Sequence, residues 1–288
     1  MSAAIQDAIS RLKRSAVYHR LRVSPLHDLY LNMKDRKLAK SREREADFYR
    51  GILNRFESND LVFEIGANVG DKVDTLLRGG ARVVAVDPDE NNQAIMQQRF
   101  LRYRFKPKAV TIVGKAVGAT AGIATMLVCA PGSVFNTLSK KGACILGDAD
   151  YCNAQSMDQL QYQEKRIVET TTLDDLIDTY GVPALIKIDV VGFELEVIQG
   201  LHRPVPCLSF EISLPEFRQE LLQCIEILGR LSPRGQFNYT WDHRNGLVLD
   251  DWIDTQKFVR VLEDSGEGPL EVFWRNPNLY RHVAKSTR

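Results

Sequence analysis

The stretch VFEIGANVGDKVDTLL (residues 62–77) shows the clearest local pattern in this chain. It runs from apolar residues into an acid, Glu64, then through a small-residue turn at residues 66–70, and continues with the pattern of a helix. We interpret it as a buried strand, a tight turn and a helix start. Glycine suits a turn in which the backbone bends sharply or lets a ligand approach closely. Backbone N–H groups at a helix start also favour a ligand there. The turn alone is equally compatible with an ordinary strand–helix corner, so the rest of the chain must decide.

Strands and helices alternate from residue 61 onward. The predicted elements after the first are strands at 82–90, 110–118 and 122–130, a strand and a helix within 166–181, a strand, turn and helix within 185–201, strands at 206–213, 236–243 and 270–275, and helices at 91–103, 215–231 and 250–264. Residues 131–165 show no periodicity and are interpreted as a long loop. Alternation of this kind, with near-continuous apolar strands, predicts an α/β fold with a doubly wound, mostly parallel sheet.

The composition is that of a globular protein of 288 residues, with 44% hydrophobic and 26% charged residues. A net charge of +1 argues against a nucleic-acid binder, although residues 1–45 hold eleven Lys and Arg against five Asp and Glu. We predict a basic helical extension at residues 1–45, either packed on the domain of residues 46–288 or open to an anionic partner. The five cysteines form no C-x-x-C pair, which indicates reduced thiols and a cytoplasmic protein. No apolar run has the length of a membrane span.

Residues at the carboxyl ends of the predicted strands form the candidate site, because ligands of doubly wound sheets bind beyond those ends. These positions are Glu64 with the turn that follows it, Asp87, Lys115, Ala116, Asp189 and Glu211. Asp87 lies 21 positions after Gly66, where an acid at the end of the second strand can accept both hydroxyls of a ribose. A helix cap before Pro88 is the structural alternative for Asp87.

The turn favours S-adenosylmethionine over a dinucleotide as the ribose-bearing cofactor. A dinucleotide fingerprint has the form G-x-G-x-x-G, with room for a pyrophosphate. Here Asn68 occupies the place of the middle glycine. The Glu64 carboxylate would repel a pyrophosphate and attract an ammonium group. A nicotinamide-dependent dehydrogenase is therefore the disfavoured hypothesis.

Three motifs make the chain similar to the FkbM family of S-adenosylmethionine-dependent methyltransferases. The family's strand motif, roughly F-D-I-G-A-N-V-G, corresponds to residues 63–70, its T-L-D-D helix start to residues 172–175, and its K-I-D-V-E-G-x-E motif to residues 187–194. The motifs occur in the family's order and spacing, and the resemblance covers about residues 45–275.

The resemblance implies a class I methyltransferase fold with a Rossmann-like sheet of seven strands, the last of them antiparallel. The cofactor-binding residues it implies are Glu64, Gly66, Ala67, Asn68, Gly70, Asp87, Pro88, Lys115, Ala116 and Asp189. The glycine turn would wrap the methionine part of S-adenosyl-L-methionine, Glu64 would face its ammonium, Asp87 its ribose, and residues 115–116 its adenine. The implied reaction is O-methylation of a hydroxyl on a sugar, polyketide or other small metabolite.

Asp189 is the first candidate for a general base, because it is the strand-end acid nearest the expected sulfonium. Glu211 is the second candidate, and either acid can instead be structural, Asp189 by pairing with Lys187. Two positions depart from the family: Val191 stands where glutamate is usual, and Ser213 where a histidine is common. These departures keep open an alternative, a cofactor-binding protein with weak or no activity that acts as a scaffold or partner.

Three further predictions concern the surroundings of this site. Glu194 is predicted to anchor the turn before it, His243 to lie at a strand end that can face the acceptor, and residues 135–136 to lie in a loop that covers the site. The histidines lack metal-ligand spacing and the acids lack a third partner, so no metal is predicted. The expected partner is a small hydroxyl acceptor, which can be a sugar or glycan, and not a nucleic acid; a homodimer is left open.

Overall fold

The computed structural model describes residues 44–45, 47–52, 59–103, 109–147, 162, 164–263 and 265–279. The basic extension predicted at residues 1–45 lies almost entirely outside the described residues, so its role stays a prediction. The described residues between 44 and 52 are helical, and we call them the N-terminal segment.

Strands and helices alternate through most of the described chain. The strands are β1 (Leu61–Ile65), β2 (Arg82–Val86), β3 (Val110–Val113), β4 (Ala116–Val117), β5 (Gly122–Val128), β6 (Glu164–Thr171), β7 (Leu185–Ile188), β8 (Cys207–Leu214), β9 (Gln236–Thr240) and β10 (Gly268–Arg275). The helices that follow the N-terminal segment are α1 (Asp71–Arg78), α2 (Glu90–Arg99), α3 (Lys140–Gly147), α4 (Leu173–Tyr180), α5 (Glu194–Gln199), α6 (Arg218–Leu231) and α7 (Thr255–Glu263). Short 3₁₀ turns cover Phe100–Tyr103 and His243–Asn245.

The main sheet has the strand order β3-β2-β1-β7-β8-β10-β9. Strand β10 runs antiparallel to both of its neighbours, and the other neighbouring pairs are parallel. Class I methyltransferases have this strand order, in which the last strand is antiparallel and lies between two strands that are parallel to the rest of the sheet. The topology therefore confirms the predicted fold class.

Burial on both faces explains why the central strands are apolar along their whole length. All five residues of β1 are buried, because one core packs α4, α5 and α6 against one face and another packs α1 and the N-terminal segment against the other. Helix α4 begins as its T-L-D-D motif predicts. The Thr172 hydroxyl accepts a hydrogen bond from the Asp175 N–H (3.0 Å), and the Asp175 carboxylate accepts one from the Thr172 N–H (3.1 Å).

A second sheet has the strand order β4-β6-β5, and three predictions about elements need correction. The strand predicted at residues 110–118 is divided, because β3 pairs with β2 in the main sheet whereas β4 pairs with β6 in the small one. Residues 131–165, predicted as a loop without elements, contain α3, and residues 148–161 and 163 lie outside the described part. The helix predicted at 250–264 begins only at Thr255, and no described helix is long and apolar enough to span a membrane.

The register of the parallel strands brings the predicted site together. Ile65 of β1 lies level with Val86 of β2 on one side and with Ile188 of β7 on the other. Ile188 in turn lies level with Phe210 of β8. The residue after each of these is a predicted site residue, namely Gly66, Asp87, Asp189 and Glu211. The prediction that Glu211 lies at the end of its strand is wrong, because β8 continues to Leu214 along β10.

Candidate functional site

The turn after β1 can be built only with glycine at its first position. Gly66 has φ +83°, and a Cβ added to it would lie 1.9 Å from the carbonyl oxygen of Asp189. Gly70 also has φ +83°, and a Cβ there would lie 2.8 Å from the ring of Phe100. The turn is therefore pressed against the end of β7 on one side and against the 3₁₀ turn after α2 on the other.

The N–H groups of this turn are all used within the protein. Those of Gly66 and Ala67 donate to the Val86 carbonyl (2.9 and 3.0 Å), and that of Gly70 donates to the Ala67 carbonyl (2.8 Å). The Asn68 N–H donates to Asp87 Oδ2 (2.7 Å), and the next N–H donates to Asn68 Oδ1 (2.7 Å). A phosphate-binding turn has to offer N–H groups to its ligand. This turn offers none, which argues against a pyrophosphate and fits a cofactor without phosphates.

Asp87 is buried at the end of β2 and accepts three hydrogen bonds. Besides the Asn68 N–H, it accepts the N–H of Asp89 (2.9 Å) and the side-chain amide of Asn92 (3.2 Å), both at Oδ1. Burial raises the pKa of Asp87 to about 6, and these hydrogen bonds oppose that rise. The carboxylate thus fixes the glycine turn while keeping further acceptor capacity for ribose hydroxyls.

Asp89 joins α2 to the segment that covers the site, a role that the sequence did not reveal. Its Oδ1 caps α2 by accepting the Asn91 N–H (2.8 Å). Its Oδ2 accepts the N–H of Gly132 (3.0 Å) and the side-chain amide of Asn136 (2.8 Å). The segment of residues 130–138 is therefore held over the cavity from the end of β2, in agreement with the covering loop predicted around residues 135–136.

A cavity lies between the strand ends and this covering segment. Its lining includes seven of the predicted site residues, namely Gly66, Asn68, Asp87, Pro88, Lys115, Ala116 and Asp189. It also includes Asn92, Asn136 and apolar side chains such as Met126 and Phe193. The other predicted residues, Glu64, Ala67, Gly70 and Glu211, lie outside the lining. The ammonium contact expected at Glu64 and the base expected at Glu211 therefore stay predictions.

The cavity fits a nucleoside cofactor at its buried polar atoms. Asn92 is 2% exposed and donates through its amide nitrogen to Asp87, yet its Oδ1 has no hydrogen-bond partner among the described residues. A buried acceptor left without a partner is costly, so a donor from a ligand is expected there. Asn92 was not among the predicted residues, and only its place on the first turn of α2 after Asp87 could have indicated it.

Replacing Asp87 with alanine is expected to weaken cofactor binding by roughly 1–3 kcal/mol, through the loss of charge-assisted hydrogen bonds. The measurement is calorimetry with S-adenosylhomocysteine, with D87N as the matched variant that keeps one acceptor oxygen and loses less affinity. Because the pKa of Asp87 is raised to about 6, affinity of the unaltered protein should fall as the pH drops below 6. Affinity unchanged in D87A would remove Asp87 from the site.

A group of buried charges lies beside the cavity, on the strands that lead away from the cofactor. Lys187 of β7 is fully buried, level with Glu64 of β1, and Glu271 of β10 is buried next to them. The Lys187 ammonium lies 3.5 Å from Asp189 Oδ2, 3.8 Å from Glu271 Oε1 and 4.0 Å from Glu211 Oε2. Asp189 and Glu211 are partly exposed, with 36% and 39% of their side chains accessible. These two acids are therefore the members of the group that are open to solvent.

The N-terminal segment closes the other side of this group. The Tyr49 hydroxyl donates to Glu271 Oε2 (3.0 Å), and the His243 Nε2 contacts the same carboxylate. His243 Nδ1 also lies 3.6 Å from Glu45, which pairs with Lys72 of α1. Burial would raise the pKa of Glu271, but Lys187 and His243 outweigh it and lower the pKa to about 2. His243 thus has a carboxylate near each ring nitrogen, which is a structural surrounding, and the contact with an acceptor that its strand-end position left open stays untested.

The turn after β7 carries an unusual backbone at Val191. Its φ of +54° is rare for a β-branched residue, and Gly192 follows with φ +80°. Glu194 anchors the turn as predicted, because its Oε1 accepts the Gly192 N–H (3.1 Å). The Thr137 hydroxyl donates to the Val191 carbonyl (2.9 Å) and so joins the turn to the covering segment. Conformations of this kind concentrate at functional sites.

Replacing Glu64 with glutamine is expected to remove a pH dependence of stability. Burial raises the pKa of Glu64 to about 8, and Lys187 opposes this only in part. The folded protein therefore holds this proton more tightly than the unfolded chain, and stability declines as the pH rises from about 4.5 toward 8.

Relative to E64Q, the unaltered protein should lose more than ~1 kcal/mol of unfolding free energy between pH 5.5 and 8, because one pKa unit corresponds to ~1.4 kcal/mol. Urea unfolding at both pH values measures this difference. Burial also raises the pKa of Glu194 to about 8. Glu194 is present in both proteins, so its contribution cancels in the difference between their unfolding free energies. Parallel pH profiles for the two proteins would contradict the assignment of Glu64.

Among the described residues no three His, Cys, Asp or Glu side chains are grouped as metal ligands are. Asp189, Glu211 and Glu271 converge on the Lys187 ammonium instead. The absence of a metal was expected from the sequence and stays a prediction for the whole chain.

Comparison with known proteins places this site in a family. The ribosomal RNA small subunit methyltransferase A of Thermotoga neapolitana is 35% identical over 71 residues, which are 25% of this chain and 24% of that protein. The solved methyltransferase FkbM of Methylobacillus flagellatus is 19% identical, with a TM-score of 0.49, over 80% of this chain and 47% of that one. The TehB-like SAM-dependent methyltransferase of Corynebacterium glutamicum is 12% identical, with a TM-score of 0.40, over 88% of this chain and 100% of that one.

The chain thus spans about half the length of the FkbM structure and a quarter of the curated relative. The model of the methyltransferase FkbM domain matches residues 64–237, from Glu64 in β1 to Phe237 in β9. This match covers more than half of the chain and contains the glycine turn, Asp87, Lys187, Asp189 and Glu211. The chain belongs to the FkbM family of S-adenosylmethionine-dependent methyltransferases.

Proposed function

We propose that this protein transfers a methyl group from S-adenosylmethionine to a hydroxyl of a small molecule. The observation that carries the proposal is a pair of partly exposed acids, Asp189 and Glu211, which both lie within 4.0 Å of the Lys187 ammonium. Asp189 also lines the cofactor cavity, so it borders both ligands. An alcohol needs a base as it attacks, and a carboxylate at this position can accept its proton.

The bound cofactor would supply an electrophilic methyl group on a sulfonium. The protein's own residues then have to hold the acceptor oxygen in line with that methyl, and positioning of this kind provides much of the rate. Asp189 is suited to orient the acceptor hydroxyl by accepting its hydrogen bond and then its proton. Its carboxylate also favours the positive charge of the sulfonium. Glu211, on the neighbouring strand, is suited to bind a second hydroxyl or to share the proton.

The charges of the acceptor side favour a neutral acceptor with several hydroxyls over a nucleic acid. Asp189, Glu211 and Glu271 lie within 4.0 Å of the Lys187 ammonium, so acids outnumber this cation. A phosphate backbone needs accessible Lys or Arg side chains. A sugar or a hydroxylated polyketide, the acceptors that the family resemblance implies, meets carboxylates through hydrogen bonds. A homodimer of the chain remains a prediction without a described interface.

Two experiments test the proposal. Calorimetry should detect binding of S-adenosylhomocysteine and no binding of NAD; the absence of heat with S-adenosylhomocysteine would contradict any cofactor role. Incubation with S-adenosylmethionine carrying a radiolabelled methyl group, and with hydroxylated acceptors such as sugars and polyketides, should then give a labelled product. The label should stay on the product after treatment with base, because a methyl ether is stable to base whereas a methyl ester of a carboxyl group is hydrolysed.

Val191 and Ser213 support a second candidate, a protein that binds the cofactor with little or no turnover. Val191 replaces the family's glutamate, and Ser213 lies two residues beyond Glu211 on the same face of β8. Neither side chain can serve as a base at neutral pH. Binding of S-adenosylhomocysteine without label transfer to any acceptor would favour this candidate over the first.

A further inference from the structure

Lys187 is a charged residue in a place where charge is costly. It lies in the middle of β7, between β1 and β8, and only 1% of its side chain is exposed. Removing an ammonium group from water costs several kcal/mol unless nearby groups compensate it. The residue has to be retained for what its charge does to its neighbours.

Its neighbours are acids from four strands. Asp189 follows on β7, Glu211 lies on β8 and Glu271 on β10, at 3.5, 4.0 and 3.8 Å from the ammonium nitrogen. Glu64 of β1 faces it across the sheet register. The ammonium nitrogen makes no hydrogen bond to any described residue. The charge is therefore shared among several carboxyl groups and is not committed to one of them.

The other cations of this region are engaged elsewhere. His243 pairs with Glu271 and lies near Glu45, and Tyr49 donates to Glu271. Lys72 of α1 pairs with Glu45. Glu271 thus has partners of its own, whereas Lys187 is the cation within 4.0 Å of both Asp189 and Glu211 among the described ion pairs.

We infer that Lys187 is a positioning residue for methyl transfer, whose buried ammonium holds Asp189 and Glu211 side by side as anions at the acceptor end of the cavity. The inference rests on the proposed function, because it concerns the pair of acids that this function uses. Two carboxylates close together cannot both remain charged without a cation between them. Lys187 therefore keeps the pair able to accept a proton at neutral pH.

The titration of Glu211 follows the same logic. The pKa of Glu211 is raised overall, by burial first and then by the Asp189 charge, and Lys187 opposes this rise. Lys72 lowers it further and Glu271 raises it, so every neighbouring element contributes to the balance. Without the Lys187 charge the pKa of Glu211 must rise, because burial and the neighbouring acids remain.

The test is a carbon NMR titration of side-chain carboxyls in protein labelled with ¹³C-glutamate and bound to S-adenosylhomocysteine. The Glu211 signal is assigned by its loss in E211Q. In K187M the midpoint of Glu211 should rise by at least about one pH unit, the shift that loss of a charge within 4 Å produces. K187R, which keeps the charge, should stay near the unaltered protein, and K141M, which removes a partly exposed lysine paired with Glu220, should not move Glu211.

Label transfer supplies the second readout. In K187M it should fall at least tenfold at pH 7 and recover toward alkaline pH, with S-adenosylhomocysteine affinity changed less than threefold, and K187R should recover part of the activity. K187Q replaces K187M if the latter does not fold.

A Glu211 midpoint that is unmoved in the neutral variants, or a Glu211 that is still protonated at pH 7 in the unaltered protein, would overturn the inference. The titration midpoints can be measured whether or not the protein transfers a methyl group. A protein that transfers no label but shows the shift would therefore contradict the proposed function and leave the electrostatic role of Lys187 standing.

Discussion

Replacing Asp189 with asparagine is expected to lower methyl transfer at least ~100-fold, the smaller end of the effect of removing a general base. Asparagine keeps the size and one acceptor oxygen of the side chain but cannot take a proton. Because Asp189 borders the cavity without holding the glycine turn through its side chain, affinity for S-adenosylhomocysteine should change only slightly. The loss should therefore appear in kcat.

The measurement is label transfer at saturating cofactor, beside calorimetry with S-adenosylhomocysteine. D178N is the matched control, since Asp178 is an exposed acid on α4 paired with Arg203 at 2.7 Å. It should leave both transfer and binding unchanged. Transfer that persists unchanged in D189N would refute Asp189 as the base and leave Glu211 as the candidate.

Replacing Gly66 with alanine is expected to have the largest effect on the cofactor cavity. The added methyl group would lie 1.9 Å from the Asp189 carbonyl oxygen, which belongs to the backbone and cannot rotate away. Either the turn after β1 or the end of β7 must move, and both line the cavity. Affinity for S-adenosylhomocysteine should fall at least tenfold, or ~1.4 kcal/mol.

G246A separates the two causes of this effect. Gly246 has φ +80°, close to that of Gly66, but a Cβ there would meet nothing within 4 Å. It should cost only backbone strain, about 1–3 kcal/mol of unfolding free energy, and should not alter cofactor binding. Urea unfolding and calorimetry of both variants give the comparison. Equal losses of stability, with binding retained in G66A, would show that the contact with β7 does not shape the site.

The parts of this protein that local patterns specify were predictable, and they include most of the cofactor side. A strand, a glycine turn and a helix are contiguous in the chain, and Asp87 follows at a fixed distance because one α/β unit separates it from Gly66. Register then brings Asp87 and Asp189 to the same edge. The seven-stranded sheet with an antiparallel last strand followed from the family resemblance and was confirmed.

The acceptor side depends on contacts between distant parts of the chain. Tyr49 and Glu271 are 222 positions apart, and His243 and Glu271 come from different elements. No spacing rule relates such residues, so neither Glu271 nor its contact with His243 could be predicted from the sequence. The prediction of a single strand at residues 110–118 was wrong for a related reason. Both halves of this stretch are apolar, and they differ only in the strands with which they pair.

The N-terminal segment lies outside the matched family domain but packs against the sheet of that domain. The family match begins at residue 64, yet Tyr49 is 2% exposed against the main sheet and covers Glu271, while Phe48 packs on Phe273 with ring centres 5.6 Å apart. Without the N-terminal segment, Glu271 would lose the hydrogen bond from the Tyr49 hydroxyl, and Phe273 would lose the rings of Phe48 and Tyr49. A protein trimmed to the matched residues would therefore let water reach this face of the sheet.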